Sequence, residues 1–211
     1  MFELRQQEKI EHFCTTLKPF LPEGSERYVA EFLIKKVVHF TITKDRKTKY
    51  GDYRQPYQGK PHLISVNGTL NKYAFLITTI HEMAHLTAFE KYKNRIQPHG
   101  KEWKEEFKLV FQPILNKNIL PEDITLAVKN YLHNVKASSC SDDALHRVLK
   151  RYDKIQGTLL EHLELGAKFK LNNQIFVKGK KLRKRYECDL LESDRKFRVL
   201  GIAEVEKVEH E

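Results

Sequence analysis

Two histidines and a glutamate stand at a spacing that suits metal chemistry. The segment His81-Glu82-Met83-Ala84-His85 puts two imidazoles four residues apart, and such residues share one face of a helix. Two imidazoles so placed can bind one metal ion, and Glu82 can reach a water molecule beside it. A catalytic zinc site has three protein ligands and one open position, and His99 is the candidate third ligand. The spacing therefore predicts a zinc-dependent hydrolytic site with Glu82 as its general base.

The identity of the third ligand has an alternative. A downstream glutamate serves in some zinc peptidases, and the candidates here are Glu102, Glu105 and Glu106. His99 fits better, because Gly100 removes a side chain beside it and a helix with an aromatic residue follows. The start of that helix would hold the histidine in place.

The residues around the motif predict the helix that the two imidazoles need. Asn71 can cap its first turn by accepting hydrogen bonds from backbone amides. An apolar face follows at helical spacing, formed by Tyr73, Leu76, Ile77, Ile80 and Ala84. We expect this helix to run to about Tyr92. The chain should then break at 97–100, and a further helix should follow over about residues 101–115.

A small sheet is predicted just before the motif helix. From Val38 onward apolar residues alternate with polar ones, which is typical of a strand. Residues 50–53 and 63–66 predict two more short strands. Tyr53 and Arg54 lie at the end of the second strand, and either is a candidate for stabilising an oxyanion.

The pattern changes after Gly157. Short apolar runs separated by glycine and asparagine predict four to five strands. The whole chain therefore predicts an α+β fold. A mainly helical domain with a small β-sheet would span residues 1–140, a linker helix 141–160, and a small basic all-β module 161–211.

Composition narrows the class of protein. The 211 residues include 38 lysines and arginines against 28 acidic residues, a net charge of +10 that points to a polyanionic partner. Three widely spaced cysteines indicate no disulfide framework and suit a reducing compartment. Neither a secretory signal nor an apolar stretch of membrane-spanning length is evident. We expect a protein of a bacterial-type cytoplasm with no membrane partner.

Four segments between about Val38 and Phe111 follow one family pattern. They are Gly51-Asp52-Tyr53-Arg54, Ile64-Ser65-Val66-Asn67, the helix with His81 and His85, and His99-Gly100-x-x-Trp103. In these segments the chain resembles the SprT-like metalloprotease family. The resemblance implies a zincin-like domain in which the three histidines bind Zn²⁺ and Glu82 is the catalytic base. It also implies action on proteins crosslinked to DNA.

The C-terminal module departs from the family pattern. Many SprT-like proteins end in a zinc ribbon with a Tyr-x-Cys-x-x-Cys run, whereas here Leu191 stands where the second cysteine would be. Cys188 is therefore interpreted as structural, and we expect a module without metal.

A dense basic run in this module predicts contact with nucleic acid. Six cations occur within eight residues: Lys178, Lys180, Lys181, Arg183, Lys184 and Arg185. Such a block attracts phosphates through the release of counterions. The nearby aromatics could stack on unpaired bases, but we expect them to form the core of the module. They are Phe169, Phe176, Tyr186 and Phe197.

The leading hypothesis is a zinc endopeptidase that acts on DNA-bound or DNA-crosslinked proteins, with single-stranded or damaged DNA as partner. One alternative is a non-catalytic nucleic-acid-binding protein with a structural zinc. Another is a metallopeptidase unrelated to DNA. The presence of Glu82 favours catalysis, because a structural site needs no base. Neither the substrate nor the oligomeric state follows from the sequence.

Overall fold

Two compact units make up the chain, residues Met1–Asp153 and Lys154–Glu211. The computed structural model describes residues 2–44, 49–133, 142–154 and 157–208. This described part contains six α-helices and two sheets, which fits the predicted α+β class. None of its helices has the length and apolar character that crossing a membrane requires.

The first unit holds all six helices and a three-stranded sheet. The helices are α1 (Phe2–Leu17), α2 (Glu26–Lys35), α3 (Lys72–Tyr92), α4 (Lys101–Asn116), α5 (Glu122–His133) and α6 (Asp143–Lys150). The strands are β1 (Val38–Thr43), β2 (Gly51–Arg54) and β3 (His62–Asn67). β3 is the central strand, with β1 parallel and β2 antiparallel to it. β2 is therefore an edge strand.

Helix α3 is the centre of the first unit. Its residues from Phe75 to Ala84 are all buried, so apolar side chains lie on every side of it. It packs against β2, β3 and α4. The side chain of Asn71 caps it as predicted, accepting hydrogen bonds from the backbone N–H groups of Tyr73 and Ala74 at 3.1 and 3.0 Å.

Helix α6 packs into the first unit, although the sequence suggested a linker helix over 141–160. Leu145 and Leu149 are buried in the same hydrophobic core as α3 and α4. Nδ2 of Asn71 donates to the carbonyl oxygen of Leu149 at 2.9 Å and to Oδ1 of Asp153 at 2.6 Å. The first unit thus continues to residue 153, because α6 covers apolar core surface. The predicted boundary between residues 140 and 141 lies outside the described residues.

The second unit is a six-stranded sheet with one short 3₁₀ turn at Leu160–His162. Its strands are β4 (Thr158–Leu159), β5 (Lys168–Leu171), β6 (Gln174–Leu182), β7 (Arg185–Leu190), β8 (Lys196–Leu200) and β9 (Glu204–Lys207). They lie in the order β4-β9-β5-β6-β7-β8, and every paired neighbour is antiparallel. One strand more than expected is present, because the two-residue β4 is too short to show a periodic pattern.

Aromatic side chains form much of the core of the second unit. Phe169, Phe176 and Tyr186 are buried, whereas Phe197 is 38% exposed and meets Phe176 edge-on. Cys188 is fully buried among them, and burial raises the pKa of its thiol. Three of the four aromatics thus serve packing, in keeping with the interpretation from sequence.

Candidate metal centre and basic hairpin

The three histidines predicted as ligands lie together in the first unit. Nε2 of His81 is 3.1 Å from Nε2 of His99 and 3.2 Å from Nε2 of His85. The Nε2 atoms of His85 and His99 are 3.0 Å apart. Within the described residues, this is the only group of three or more His, Cys, Asp or Glu side chains close enough together to hold a metal ion.

The spacing of the three nitrogens fits one metal ion. Each neutral imidazole has a single N–H, so three Nε2 atoms in a triangle cannot satisfy one another by hydrogen bonding. Nitrogen ligands at about 2.0–2.1 Å from one tetrahedral zinc ion lie roughly 3.3 Å apart, close to the spacing observed. The three imidazoles could therefore hold one metal ion.

The surroundings keep the three imidazoles neutral, which is the form that binds metal. Burial lowers the pKa of His81 well below its ordinary value, and the neighbouring His85 and His99 lower it further. Burial, with a contribution from His99, lowers the pKa of His85 to about 4. Burial also lowers the pKa of His99. Near neutral pH, no proton has to leave these rings before a metal ion binds.

A tight turn brings His99 to the two histidines of α3. The N–H of Gly100 donates to the carbonyl of Gln97 at 2.9 Å, and His99 has a left-handed backbone with φ of 57°. Gly100 is the N-cap of α4, and a Cβ atom there would lie 2.9 Å from the Gln97 carbonyl oxygen. The glycine is needed because a larger residue would disturb the turn that places His99.

Trp103 packs against all three histidine rings. Its side chain is 1% exposed, and its ring centre lies 4.6 Å from that of His81, 5.1 Å from that of His85 and 4.7 Å from that of His99. It stacks in turn on Phe107, with ring centres 5.3 Å apart. The sequence indicated Trp103 as a buried aromatic residue on the helix after His99 and as part of the family pattern. The structure shows why an aromatic residue at this position matters, since it limits the movement of all three imidazoles.

Glu82, which follows His81 on α3, is buried and packs against the edge strand. Its side chain is 6% exposed. A Cβ atom at Gly51 would overlap the Glu82 carboxylate and would lie 2.7 Å from Cγ2 of Thr78. Gly51 thus leaves the space that the carboxylate occupies, a role that sequence spacing could not reveal because the two residues are 31 positions apart.

The alternative third ligands are not part of the cluster. Glu106 is buried on α4, and its Oε1 pairs with Nζ of Lys91 at 3.0 Å. Glu102 and Glu105 likewise lie outside the group that could hold a metal ion. The structure therefore favours His99 over a glutamate.

Comparison with known families agrees with this geometry. Residues 19–120, which include the sheet, α3 and α4, match the model of the SprT-like family. Over these residues the chain is similar to the SprT-like family. Comparisons with curated proteins and with solved structures found no match. The predicted resemblance is thus confirmed for the part of the chain that carries the triad.

Tyr53 lies against the triad, whereas Arg54 is largely exposed. The Tyr53 ring is parallel to that of His85 within 2°, with ring centres 6.3 Å apart, and its hydroxyl is 3.0 Å from Nδ1 of His62. Burial raises the pKa of Tyr53. The Arg54 side chain is 73% exposed and pairs with Asp52 at 3.0 Å. The oxyanion role suggested for either residue stays a prediction.

Lys178 cannot make the nucleic-acid contact predicted for it. Lys178 lies two residues after Phe176 on β6, so its side chain projects from the same face of the sheet. Lys178 is only 3% exposed, and burial lowers the pKa of its ammonium group. Nζ donates to the carbonyl oxygens of Glu161 and Leu163 and lies 4.2 Å from the centre of the Tyr186 ring. Lys178 is a buried structural cation, which a count of charges along the sequence cannot distinguish from a surface one.

The remaining cations lie on or near a hairpin between β6 and β7. Lys180 is 3.9 Å and Lys196 is 3.5 Å from the carboxylate of Glu187, so both are partly neutralised. Lys181 is exposed. The hairpin tip borders an open depression of about 640 Å³, lined by Leu182, Arg183, Lys184, Arg185 and Arg198.

Arg198 is a member of this basic group that the sequence did not suggest. It lies on β8, and Arg185 donates to its carbonyl oxygen at 3.0 Å. Within the part of the chain that the structure describes, no acidic side chain pairs with Arg183, Arg185 or Arg198. The pairing of β7 with β8 brings Arg198 to the tip, so only the sheet register reveals it.

We expect His99→Ala to lose most of the metal. Purified wild-type protein should carry about one zinc ion per chain, and two histidines from one helix leave the ion with too few ligands. Elemental analysis measures this directly. His39→Ala, an exposed histidine on β1, is the matched control and should keep the wild-type content. Full occupancy in His99→Ala would rule out His99 as the third ligand.

Proposed function

We propose that this chain is a zinc-dependent endopeptidase that acts on DNA-bound or DNA-crosslinked proteins. The observation that carries the proposal is the triangle of three neutral imidazoles with Glu82 buried beside it. The SprT-like match supports a metallopeptidase-like fold for the same residues. The similarity to this family and the donor set together make zinc the metal that we propose.

His81, His85 and His99 would hold the zinc ion, and the ion when bound would polarise the scissile carbonyl and acidify a water molecule. Glu82 is placed to take a proton from the attacking water. The hydroxide adds to the carbonyl carbon, the C–N bond breaks, and Glu82 returns the proton to the leaving amine. A carboxylate suits both transfers because it can accept the proton and then release it.

The residues around Glu82 hold the base in one place. Its carboxylate fills the space left by Gly51 on the edge strand, and helix α3 fixes its backbone next to His81. Trp103 and Tyr53 restrict the rings of the ligand histidines. A site held in this way needs little rearrangement when the reaction begins.

A DNA partner is proposed from charge and from the family. The overall charge of +10 favours a polyanion. The exposed arginines at the tip of the β6–β7 hairpin provide guanidinium groups, which bind phosphate oxygens in pairs. We propose that DNA, single-stranded or damaged, binds there while the first unit cleaves the attached protein. A cytoplasmic location is part of the same proposal.

We expect Glu82→Gln to retain zinc and the fold but to lose proteolysis by about a hundredfold or more, because the amide cannot accept the proton. Cleavage of casein or histone with and without single-stranded DNA measures the rate. Glu122→Gln, an exposed glutamate on α5, is the matched control. If Glu82→Gln cleaves at the wild-type rate, Glu82 is not the base. If wild-type protein with full zinc cleaves nothing, a non-catalytic role is favoured.

We expect Gly51→Ala to lower the cleavage rate by about tenfold or more while zinc content stays at the wild-type level. The added methyl group would displace the Glu82 carboxylate, and the three atoms nearest to it belong to Glu82 and Thr78 and not to a histidine. Kinetics on a peptide substrate, together with elemental analysis, separate the two effects. A variant that cleaves normally would show that the position of the carboxylate is less constrained than we infer.

We expect serine at Arg183, Arg185 and Arg198 together to weaken DNA binding. For each phosphate that is no longer neutralised, the plot of log affinity against log salt should become flatter by about 0.7–0.9. Fluorescence anisotropy at several salt concentrations measures both affinity and slope. A matched triple variant at Lys170, Arg195 and Lys207 removes equal charge from other exposed positions of the unit. Equal weakening in both variants would exclude a specific role for the hairpin tip.

A further inference from the structure

Most of the net positive charge lies away from the basic run that the sequence drew attention to. Residues 154–211 contain 13 lysines and arginines and 10 acidic residues, a net charge of +3. Residues 35–108 contain 15 lysines and arginines and 7 acidic residues, a net charge of +8. This stretch includes the three-stranded sheet, the three histidines and the start of α4. A polyanion should therefore be attracted to the surface of the first unit as well.

A tight turn between β2 and β3 presents an aromatic ring within this positive stretch. The N–H of Lys60 donates to the carbonyl of Tyr57 at 3.0 Å, and the N–H of Tyr57 donates to the carbonyl of Lys60 at 3.3 Å. Gln58 and Gly59 between them have φ of 48° and 78°, the pattern of a two-residue hairpin. Tyr57 and Lys60 are directly opposite each other, so their side chains project from the same face.

The Tyr57 side chain is 67% exposed, although its ring would gain stability from burial. Lys60 beside it is exposed, and Arg54, three residues before Tyr57, is 73% exposed. Asp52 offsets the charges of Lys49 and Arg54 only in part, because one carboxylate faces two cations. The turn thus combines an exposed ring, on a backbone closed by two hydrogen bonds, with adjacent positive charge.

We propose that Tyr57, Lys60 and Arg54 form a binding platform for single-stranded nucleic acid. An unpaired base stacks on the Tyr57 ring, and the two cations contact the flanking phosphates. A duplex would not use the ring, because its base faces are already covered by neighbouring bases. An acidic protein would pair with Lys60 and Arg54 but would have no base to stack on the Tyr57 ring. The proposal rests on the DNA partner put forward above and assigns that partner a second surface, on the catalytic unit.

The platform lies close to the metal centre along the chain. Tyr57 follows the end of β2 by three residues, which span at most about 10 Å. β2 itself packs Gly51 on Glu82 and Tyr53 on His85. A strand of DNA bound at Tyr57 therefore brings a protein attached to it next to the site of cleavage.

The test is anisotropy with a labelled oligo(dT) strand and with the same strand annealed to its complement. Tyr57→Ala should weaken binding of the single strand by roughly 5- to 100-fold and change duplex binding little. Tyr57→Phe, which keeps the ring and removes the hydroxyl, should bind within about twofold of wild type. Lys60→Ser and Arg54→Ser should each flatten the salt slope by about 0.7.

Leu126→Ala and Lys129→Ser, both exposed on α5, are the controls for removal of an apolar and of a charged side chain. Circular dichroism and zinc content check that each variant folds. Wild-type affinity in Tyr57→Ala would overturn the proposal, as would equal weakening in Tyr57→Phe. Displacement of the strand by poly-glutamate at equal charge concentration would also overturn it, in favour of an acidic protein.

These affinities can be measured in protein that also carries Glu82→Gln, so that DNA binding is measured without proteolysis. Failure of the peptidase proposal would appear as no cleavage by wild-type protein with full zinc. Failure of the platform would appear only in the affinity of the Tyr57 variants.

Discussion

Three imidazole nitrogens within 3.2 Å of one another set the main constraint on the first unit. Their lone pairs repel unless a cation is shared among them, and burial holds the rings neutral. Two of the rings come from successive turns of α3, but the third must come from elsewhere in the chain. This requirement explains why α3 is buried on every side and why the chain reverses at 97–100 before α4 begins.

The residues that surround the triad act mainly by restricting it. Trp103 packs on all three rings, yet its own Nε1 is buried with no hydrogen-bond partner among the described residues. Leaving such a group unpaired costs about 1–3 kcal/mol. The left-handed backbone of His99 adds a further cost of about 1–3 kcal/mol. Unfavourable features of this kind persist where function requires them. Here the unpaired Nε1 of Trp103 and the left-handed backbone of His99 both belong to residues that position the three imidazoles.

Local patterns were enough to predict much of this structure. The four-residue spacing of His81 and His85, the cap at Asn71 and the alternation after Val38 all depend on neighbours in sequence, and all three agree with the fold. Contacts between distant segments could not be read in this way. The space that Gly51 leaves for Glu82, the burial of Lys178 and the approach of Arg198 to the hairpin all depend on strand pairing and pleat. The packing of α6 into the core was missed for the same reason.

The two sets of hydrogen bonds made by the Asn71 side chain determine how short a stable fragment of the first unit can be. Its side-chain oxygen caps the helix that carries His81 and His85, and its side-chain nitrogen donates to Leu149 and Asp153. The family match ends at residue 120, so a fragment cut there would keep every ligand and lose the partners that orient the cap. It would also expose the apolar surface that Leu145 and Leu149 cover. The smallest piece that keeps this cap oriented and this core covered therefore extends through Asp153, some thirty residues beyond the family boundary.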